Sequence, residues 1–304
     1  MVGRILELSR DNLAVHKSRG FLSVREGGVE IGKAELDDLD AVLVSAQGLT
    51  WSNTALSHLA AQNVPVMILG PNFAPNAVLL PLSGMGEQAY RMRNQAAASL
   101  PLRKQIWARL VRHKIADQAA LLEDVGYSSE RVKRLSYAVR SGDPDNREGQ
   151  AAQVYWPLLF GKSFRRDRDM DGANAMLNYG YAVLRAATAR AIVSAGLHPS
   201  LSVHHKSGGD PLVLADDLME PFRATIDGVV YRLLEQGVTT VPEARAALVG
   251  ALSAPFSTEQ GESPLSQVLV RLAQSLVRSF EEKKPRLSFP RTLLSVEVQV
   301  DDTP

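Results

Sequence analysis

Along the first fifty residues, apolar and polar positions alternate in short runs: Arg4 to Leu8, Leu13 to Lys17, Phe21 to Arg25, Val29 to Lys33 and Ala41 to Ser45. Alternation at period two marks strands with one buried face, and Asp11-Asn12, Gly20 and Gly27-Gly28 fall where hairpin turns belong. A helix from about Asn53 to Gln62 is predicted next, capped by Ser52 or Asn53, then a buried strand from Val64 to Leu69. The breakers Pro71, Pro75, Pro81 and Gly84 predict a domain boundary between Gly70 and Gly86, with one further strand from Ala77 to Leu80.

Beyond Glu87 the period changes. Helical spacing runs from Glu87 to about Asp124, then over Tyr127 to Arg140, Arg147 to Leu159, Gly172 to Ala195, Pro211 to Glu235, Pro242 to Leu252 and Pro264 to Glu282. The expected fold class is α+β, with a small β-rich N-terminal domain over residues 1–84 and a linker at about 70–86. An all-helical domain over 87–282 and a tail over 283–304 follow. The tail ends in an alternating run from Leu294 to Val300, suited to pairing with a sheet edge of its own chain or of a partner. No internal repeat is evident, which argues against a solenoid.

Composition narrows the class further. With 304 residues, 45% hydrophobic and 22% charged, the chain suits one large or two ordinary globular domains. The absence of cysteine excludes disulfides, thiolate metal sites and thiol nucleophiles. The first residues lack the uninterrupted apolar core of a signal peptide and no run reaches the length of a membrane span, so a cytoplasmic location away from membranes is expected.

A formal charge of +1 leaves the question of nucleic acid to the distribution of the 34 basic residues. Arg91, Arg93, Arg103, Lys104, Arg109, Arg112, His113 and Lys114 lie on the first long helix and wrap around it, a pattern shared by solvated faces and DNA-binding faces. Lys162, Arg165, Arg166 and Arg168 form a second cluster in a loop, tempered by Asp167, Asp169 and Asp171. His16 and His58 lack acids at ligating spacing and are read as structural or surface histidines. Tyr179 and Tyr181 sit in an apolar helix, where packing or hydrogen-bonded core is the expected role.

The densest candidate chemistry lies in HHKSGGDPLVLADDLMEPFR, His204 to Arg223. Pro211 suits a first helical turn, and Leu212, Leu214, Leu218, Met219 and Phe222 give an apolar stripe. Asp216 with Glu220, and Asp217 with Glu220, are then four and three apart on one face. Grouped carboxylates repel unless a cation neutralises them or water solvates them, so spacing alone leaves open a metal site and a solvated acidic helix start. His204 and His205 would point to opposite faces of an extended segment.

Three blocks give this pattern a family. Glu148-Gly149-Gln150-Ala151-Ala152 with Tyr155-Trp156 forms the first, and Asn174, Leu177, Asn178, Tyr179, Gly180 and Tyr181 the second. The third runs Leu197, Pro199, His205 and Asp217 to Arg223. Together these resemble the CRISPR-associated adaptation integrase/endonuclease family, most closely its type II branch, across roughly residues 145 to 225. The resemblance implies a metal-dependent DNA endonuclease and strand-transfer enzyme that inserts spacers into CRISPR arrays for antiviral defence.

It further implies that Glu148, His205 and Glu220 are catalytic metal ligands, with Asp217 auxiliary and His204 a neighbour. Many members carry Asp where this chain has Glu220, one methylene longer. Two carboxylates and an imidazole suit Mg²⁺ or Mn²⁺ better than Zn²⁺. Arg165, Arg166 and Lys206 are the expected DNA contacts. An N-terminal β-sandwich that builds a homodimer is implied as well. So is a small ferredoxin-like CRISPR-associated partner in a heterohexamer-type complex on duplex prespacer and repeat DNA. The competing reading is a non-catalytic helical DNA-binding or scaffolding subunit.

Overall fold

The computed structural model describes residues 4–62, 64–70, 75–79, 87–206, 208–258, 261–290 and 292–293. The alternating runs form β1 (Arg4–Leu8), β2 (Leu13–Ser18), β3 (Phe21–Glu26), β4 (Val29–Glu35) and β5 (Leu39–Val44). After them come β6 (Leu49–Trp51), α1 (Asn53–Ala61), β7 (Val66–Leu69) and β8 (Pro75–Leu79). Ser52 caps α1, its hydroxyl accepting the Ala55 N–H at 3.3 Å. Strand β6, too short to show a period, went unseen in the sequence; it pairs in parallel with β2. Of the breaker stretch, residues 71–74 and 80–86 lie outside the described residues.

Two four-stranded sheets result, ordered β1-β5-β7-β8 and β4-β3-β2-β6. Period two decides how they pack. Leu8, Val42, Val44 and Val66 of the first sheet share a core with Leu13, Val15, Leu22 and Val24 of the second, closed by Ala55 and Leu59 of α1. Residues of the opposite parity in the first sheet, Ala41, Leu43, Met67 and Leu69, belong instead to the helical core. That sheet is thus buried on both faces and fixes the sandwich to the helices.

The helical part comprises α2 (Gln88–Ala96), α3 (Leu100–Asp124), α4 (Glu130–Tyr137), α5 (Arg147–Phe160), α6 (Ala173–Ser194), α7 (Val213–Met219), α8 (Arg223–Glu235), α9 (Val241–Gly250) and α10 (Leu265–Glu281). Helix α6 is apolar on every side and is buried over most of its length, as an all-round hydrophobic helix must be. A Cβ at Gly180 would stand 2.4 Å from Ile226 Cγ2, so glycine permits the close approach of α6 to α8. None of the described helices is long and apolar enough to cross a membrane.

Three expectations need correction. The helix expected from Glu87 to Asp124 is two, because Ser99 caps a new start and Pro101 cannot donate back to α2. The helix expected from Pro211 to Glu235 begins at Val213 and breaks at a 3-10 turn over Glu220–Phe222, where Pro221 lacks the N–H of an α-helical ladder. The C-terminal part is mostly rather than wholly helical: β9 (Pro255–Thr258), β10 (Gly261–Pro264) and β11 (Thr292–Leu293) make a small antiparallel sheet ordered β10-β9-β11. Such short strands leave no readable alternation.

The tail folds back onto the helices before β11. Ser279 Oγ accepts the Arg286 N–H at 2.8 Å, Ser275 Oγ accepts that of Ser288 at 3.0 Å, and Phe289 stacks on His113 with centroids 3.6 Å apart. The alternating run Leu294 to Val300 lies outside the described residues.

Candidate active site

Helix α5 begins at a double cap. Asn146, at φ 51°, accepts the Gly149 N–H at 3.1 Å, and the Asp143 carboxylate accepts those of Arg147 and Glu148 at 2.9 and 3.1 Å. This fixes Glu148 in the first turn, facing α3. From α3, Lys114 reaches between two acids: its Nζ contacts Glu148 Oε1 and lies 2.6 Å from Glu220 Oε2. Glu220, 4% exposed at the break between α7 and α8, is paired on its other oxygen with Arg223 Nε at 3.0 Å.

Burial pushes the Glu220 carboxyl up, but the Arg223 and Lys114 cations outweigh it and hold it at about 2. Burial pulls Lys114 down, and the Glu220 and Glu148 carboxylates more than offset this, so its ammonium is held above the usual lysine range. Both oxygens of Glu220 are in close ion-pair contact, Oε2 with Lys114 Nζ and Oε1 with Arg223 Nε. A carboxylate oxygen has two lone pairs, so one such contact does not exhaust its capacity.

The other acids of the α7 segment have partners of their own. Asp216 accepts Arg185 Nε and Nη2, both at 2.7 Å, and Arg185 Nη2 also reaches Asp210 at 2.6 Å. Asp217, fully buried, accepts the backbone N–H groups of Val203, His204 and His205 at 2.6, 3.0 and 3.1 Å. Its Oδ1 also takes His205 Nδ1 at 2.7 Å. With Nδ1 committed to a carboxylate, Nε2 of His205 is the nitrogen left for a ligand. That hydrogen bond is the first cause of a raised imidazole pKa, opposed by burial.

The histidines do not splay to opposite faces, because Asp217 gathers their N–H groups into a bend rather than a strand. The His204 ring stacks flat on buried Trp107 of α3 at 4.1 Å, and His205 meets the same indole edge-on at 5.4 Å. Trp107 and Lys114 are site residues that sequence reasoning missed. A signal existed for the lysine: it falls in the heptad-like stripe Leu110, Val111, Ile115 and Gln118 that α3 buries, and a lysine amid such a stripe needs an anionic partner.

In this metal-free structure the expected ligand set, Glu148, His205 and Glu220, is held by other partners. Among the described residues, no three His, Asp or Glu side chains stand close enough together to hold one ion. The fold brings Glu148 and Glu220 onto one cation and places His205 within electrostatic reach of Glu220. The cation between the carboxylates is the ammonium of Lys114, and His205 is turned to Asp217. The donor chemistry suits a hard divalent ion, two carboxylates and one oriented imidazole, once the ammonium gives way.

Next to His205 opens a cavity of about 250 Å³ whose lining includes Arg166, Arg168, Arg185 and Arg223 together with the carboxylates Asp210 and Asp216. Beneath it Tyr155 donates to Asp227 Oδ2 at 2.7 Å and Tyr181 donates to Oδ1 of the same carboxylate. Burial raises the Asp227 pKa to about 6 against the pull of those two hydrogen bonds. Arg223 lies over the Tyr181 ring at 4.5 Å, so this buried trio supports the guanidinium that grips Glu220.

The loop cluster divides by exposure. Arg165 is exposed, its guanidinium donating to the Lys162 and Phe164 carbonyls, and Lys206 is exposed beside the histidines. Arg166 is committed inward, to Asn174 Oδ1 at 2.9 Å and Asn178 Oδ1 at 2.6 Å. These two asparagines, together with Tyr179 donating to Glu7 at 2.6 Å, show that the second sequence block is largely architectural.

A family model described as "CRISPR associated protein Cas1" matches residues 6–246. The CRISPR-associated endonuclease Cas1 of Neisseria meningitidis serogroup C (strain 8013) is 32% identical over 93% of this chain and 94% of its own length. Among solved structures, a casposase bound to integration product aligns with a TM-score of 0.80 at 22% identity, over 97% of this chain and 96% of that one. A Cas6-RT-Cas1–Cas2 complex aligns with a TM-score of 0.76 at 18% identity, over 98% of this chain and 36% of that one. At such identities the structures share the fold.

Proposed function

This chain belongs to the CRISPR-associated Cas1 family, and from that premise we propose that it is a Mg²⁺- or Mn²⁺-dependent DNA endonuclease and integrase. It inserts short duplex DNA into a CRISPR array by attack of a 3′-hydroxyl on a phosphodiester. The observation that carries the reading is the convergence of Glu148 and Glu220, from separate elements, on a single half-buried cation position beside an imidazole oriented by Asp217.

Glu148, Glu220 and Nε2 of His205 would hold the divalent ion. When bound, it supplies a Lewis acid that lowers the pKa of the attacking hydroxyl and neutralises developing charge. Asp217 fixes the imidazole tautomer and the loop that carries it. Arg223 fixes one oxygen of Glu220 and leaves the other on Lys114, the cation it shares with Glu148. Exposed Arg168 at the cavity beside His205 offers a guanidinium group to DNA phosphates, while Arg185 and Arg223 are committed to Asp210 and Asp216 and to Glu220. Exposed Arg165 and Lys206 extend that basic surface, whereas Arg166 acts from within it.

Two proteins that share this fold support DNA integration with a second Cas protein: one is a casposase bound to integration product, the other a Cas6-RT-Cas1–Cas2 complex. We place the homodimer contact on the N-terminal sandwich and take the partner to be a small ferredoxin-like protein in a heterohexamer-type assembly.

The test is joining of short duplex DNA with free 3′-hydroxyls to a supercoiled plasmid carrying a CRISPR repeat, with Mn²⁺ or Mg²⁺ and the partner protein. Joined product that requires metal, Glu148 and Glu220 is expected. Wild-type protein that binds DNA and joins nothing would favour a helical scaffold whose acids serve only the Lys114 and Arg223 ion pairs.

A further inference from the structure

The proposed chemistry leaves Lys114 without a task. Its side chain is 14% exposed and its ammonium stands between Glu148 and Glu220, which arrive on α5 and on the 3-10 turn before α8. Together with Arg223, the set carries two negative and two positive charges and is balanced as it stands. A divalent ion held by the same two carboxylates would compete with the ammonium for the same oxygens and would leave the site with excess positive charge. DNA phosphate is the anion that both restores the balance and offers the ammonium another partner. Lysine suits such a move, being a point charge on a flexible stem, while Arg223 is pinned between Glu220 and the Tyr181 ring.

We infer that Lys114 is a resident counter-cation that holds the place of the divalent ion in the DNA-free protein, so that metal and DNA load cooperatively. The inference rests on the metal-dependent reading of the site. By linkage, whatever factor DNA contributes to metal affinity, metal contributes equally to DNA affinity.

The experiment is titration of Mn²⁺ into the full chain, read by electron paramagnetic resonance of free Mn²⁺, with and without duplex DNA. Wild type, Lys114→Met and Lys114→Gln are compared. Without DNA, removing the ammonium is expected to tighten Mn²⁺ binding about tenfold, within the usual span of coupling between sites. DNA should tighten the wild type by a similar factor and the variants little. Melting temperature gives a second readout: the variants should melt below wild type without metal and gain more than wild type from Mn²⁺. Equal Mn²⁺ affinity of DNA-free wild type and of whichever variant folds overturns the role of Lys114 and leaves the metal site standing. Failure of every protein to bind Mn²⁺, with DNA present as well, overturns both.

Discussion

Lys114 Nζ stands 2.6 Å from Glu220 Oε2, and the same ammonium contacts Glu148. Two acids from distant parts of the chain are thus held at one point by a half-buried positive charge. The site is preorganised by ion pairs whose members cannot be removed singly without cost.

Glu220→Gln is expected to abolish strand transfer while leaving metal-free DNA binding. It should also destabilise the fold by roughly 3 kcal/mol, because Arg223 loses its buried counter-charge and Lys114 one of two. Joining assays and urea denaturation check both parts; a variant as stable as wild type would mean the pairs are solvated.

His205→Ala should eliminate joining, whereas His204→Ala should keep most of it, since the His204 ring is occupied by its stack on Trp107. Asp217→Asn should cost about 10–100-fold in activity or metal affinity through loss of orientation. Equal loss in both histidine variants would assign His204 a direct part in the chemistry.

The two loop arginines should separate. Arg165→Ala is expected to reduce the slope of log affinity against log salt by about one unit with no change in melting temperature. Arg166→Ala should lower thermal stability as well, because it frees Asn174 and Asn178. Binding curves at several salt concentrations and melting scans distinguish them.

His113 makes stability pH-dependent. Burial, with help from Arg109, lowers its pKa from 6.5 to about 4. The folded protein therefore binds fewer protons than the unfolded chain in that window. The contribution of the neutral ring is complete above pH 6.5 and is lost as pH falls towards 4, on the order of 2–3 kcal/mol. His113→Phe, which keeps the stack on Phe289 without a titrating group, should flatten denaturation midpoints measured across that range.

Truncation should depend on where the cut falls. Removal of residues 284–304 takes away Leu287 and Phe289, which pack on the helical core, and should lower the melting temperature. Removal of 294–304 leaves those contacts and is the cleaner test of whether the tail contacts a partner: unchanged pull-down would end that idea.

Much of the architecture was legible because it rests on local periodicity. Alternation located β1 to β5, and helical spacing located α5, α6, α9 and α10 within a few residues of their ends. Where the reading slipped, a single local event outranked the period: the Ser99 cap with Pro101, Pro221 after Glu220, and strands too short to alternate.

Sequence by itself determined the chemical inventory and the family, since the blocks around Glu148, Asn174–Tyr181 and His205–Arg223 are contiguous signals that need no folding to be read. The partners of the acids were decided only by tertiary structure. Spacing placed Asp216, Asp217 and Glu220 on one face, but which cation each receives depends on residues that chain folding delivers: Arg185 from α6, the Val203–His205 bend, and Lys114 from α3. Coulomb energy in a buried site depends on separations of a few ångströms, and separations between distant segments are not written in local sequence.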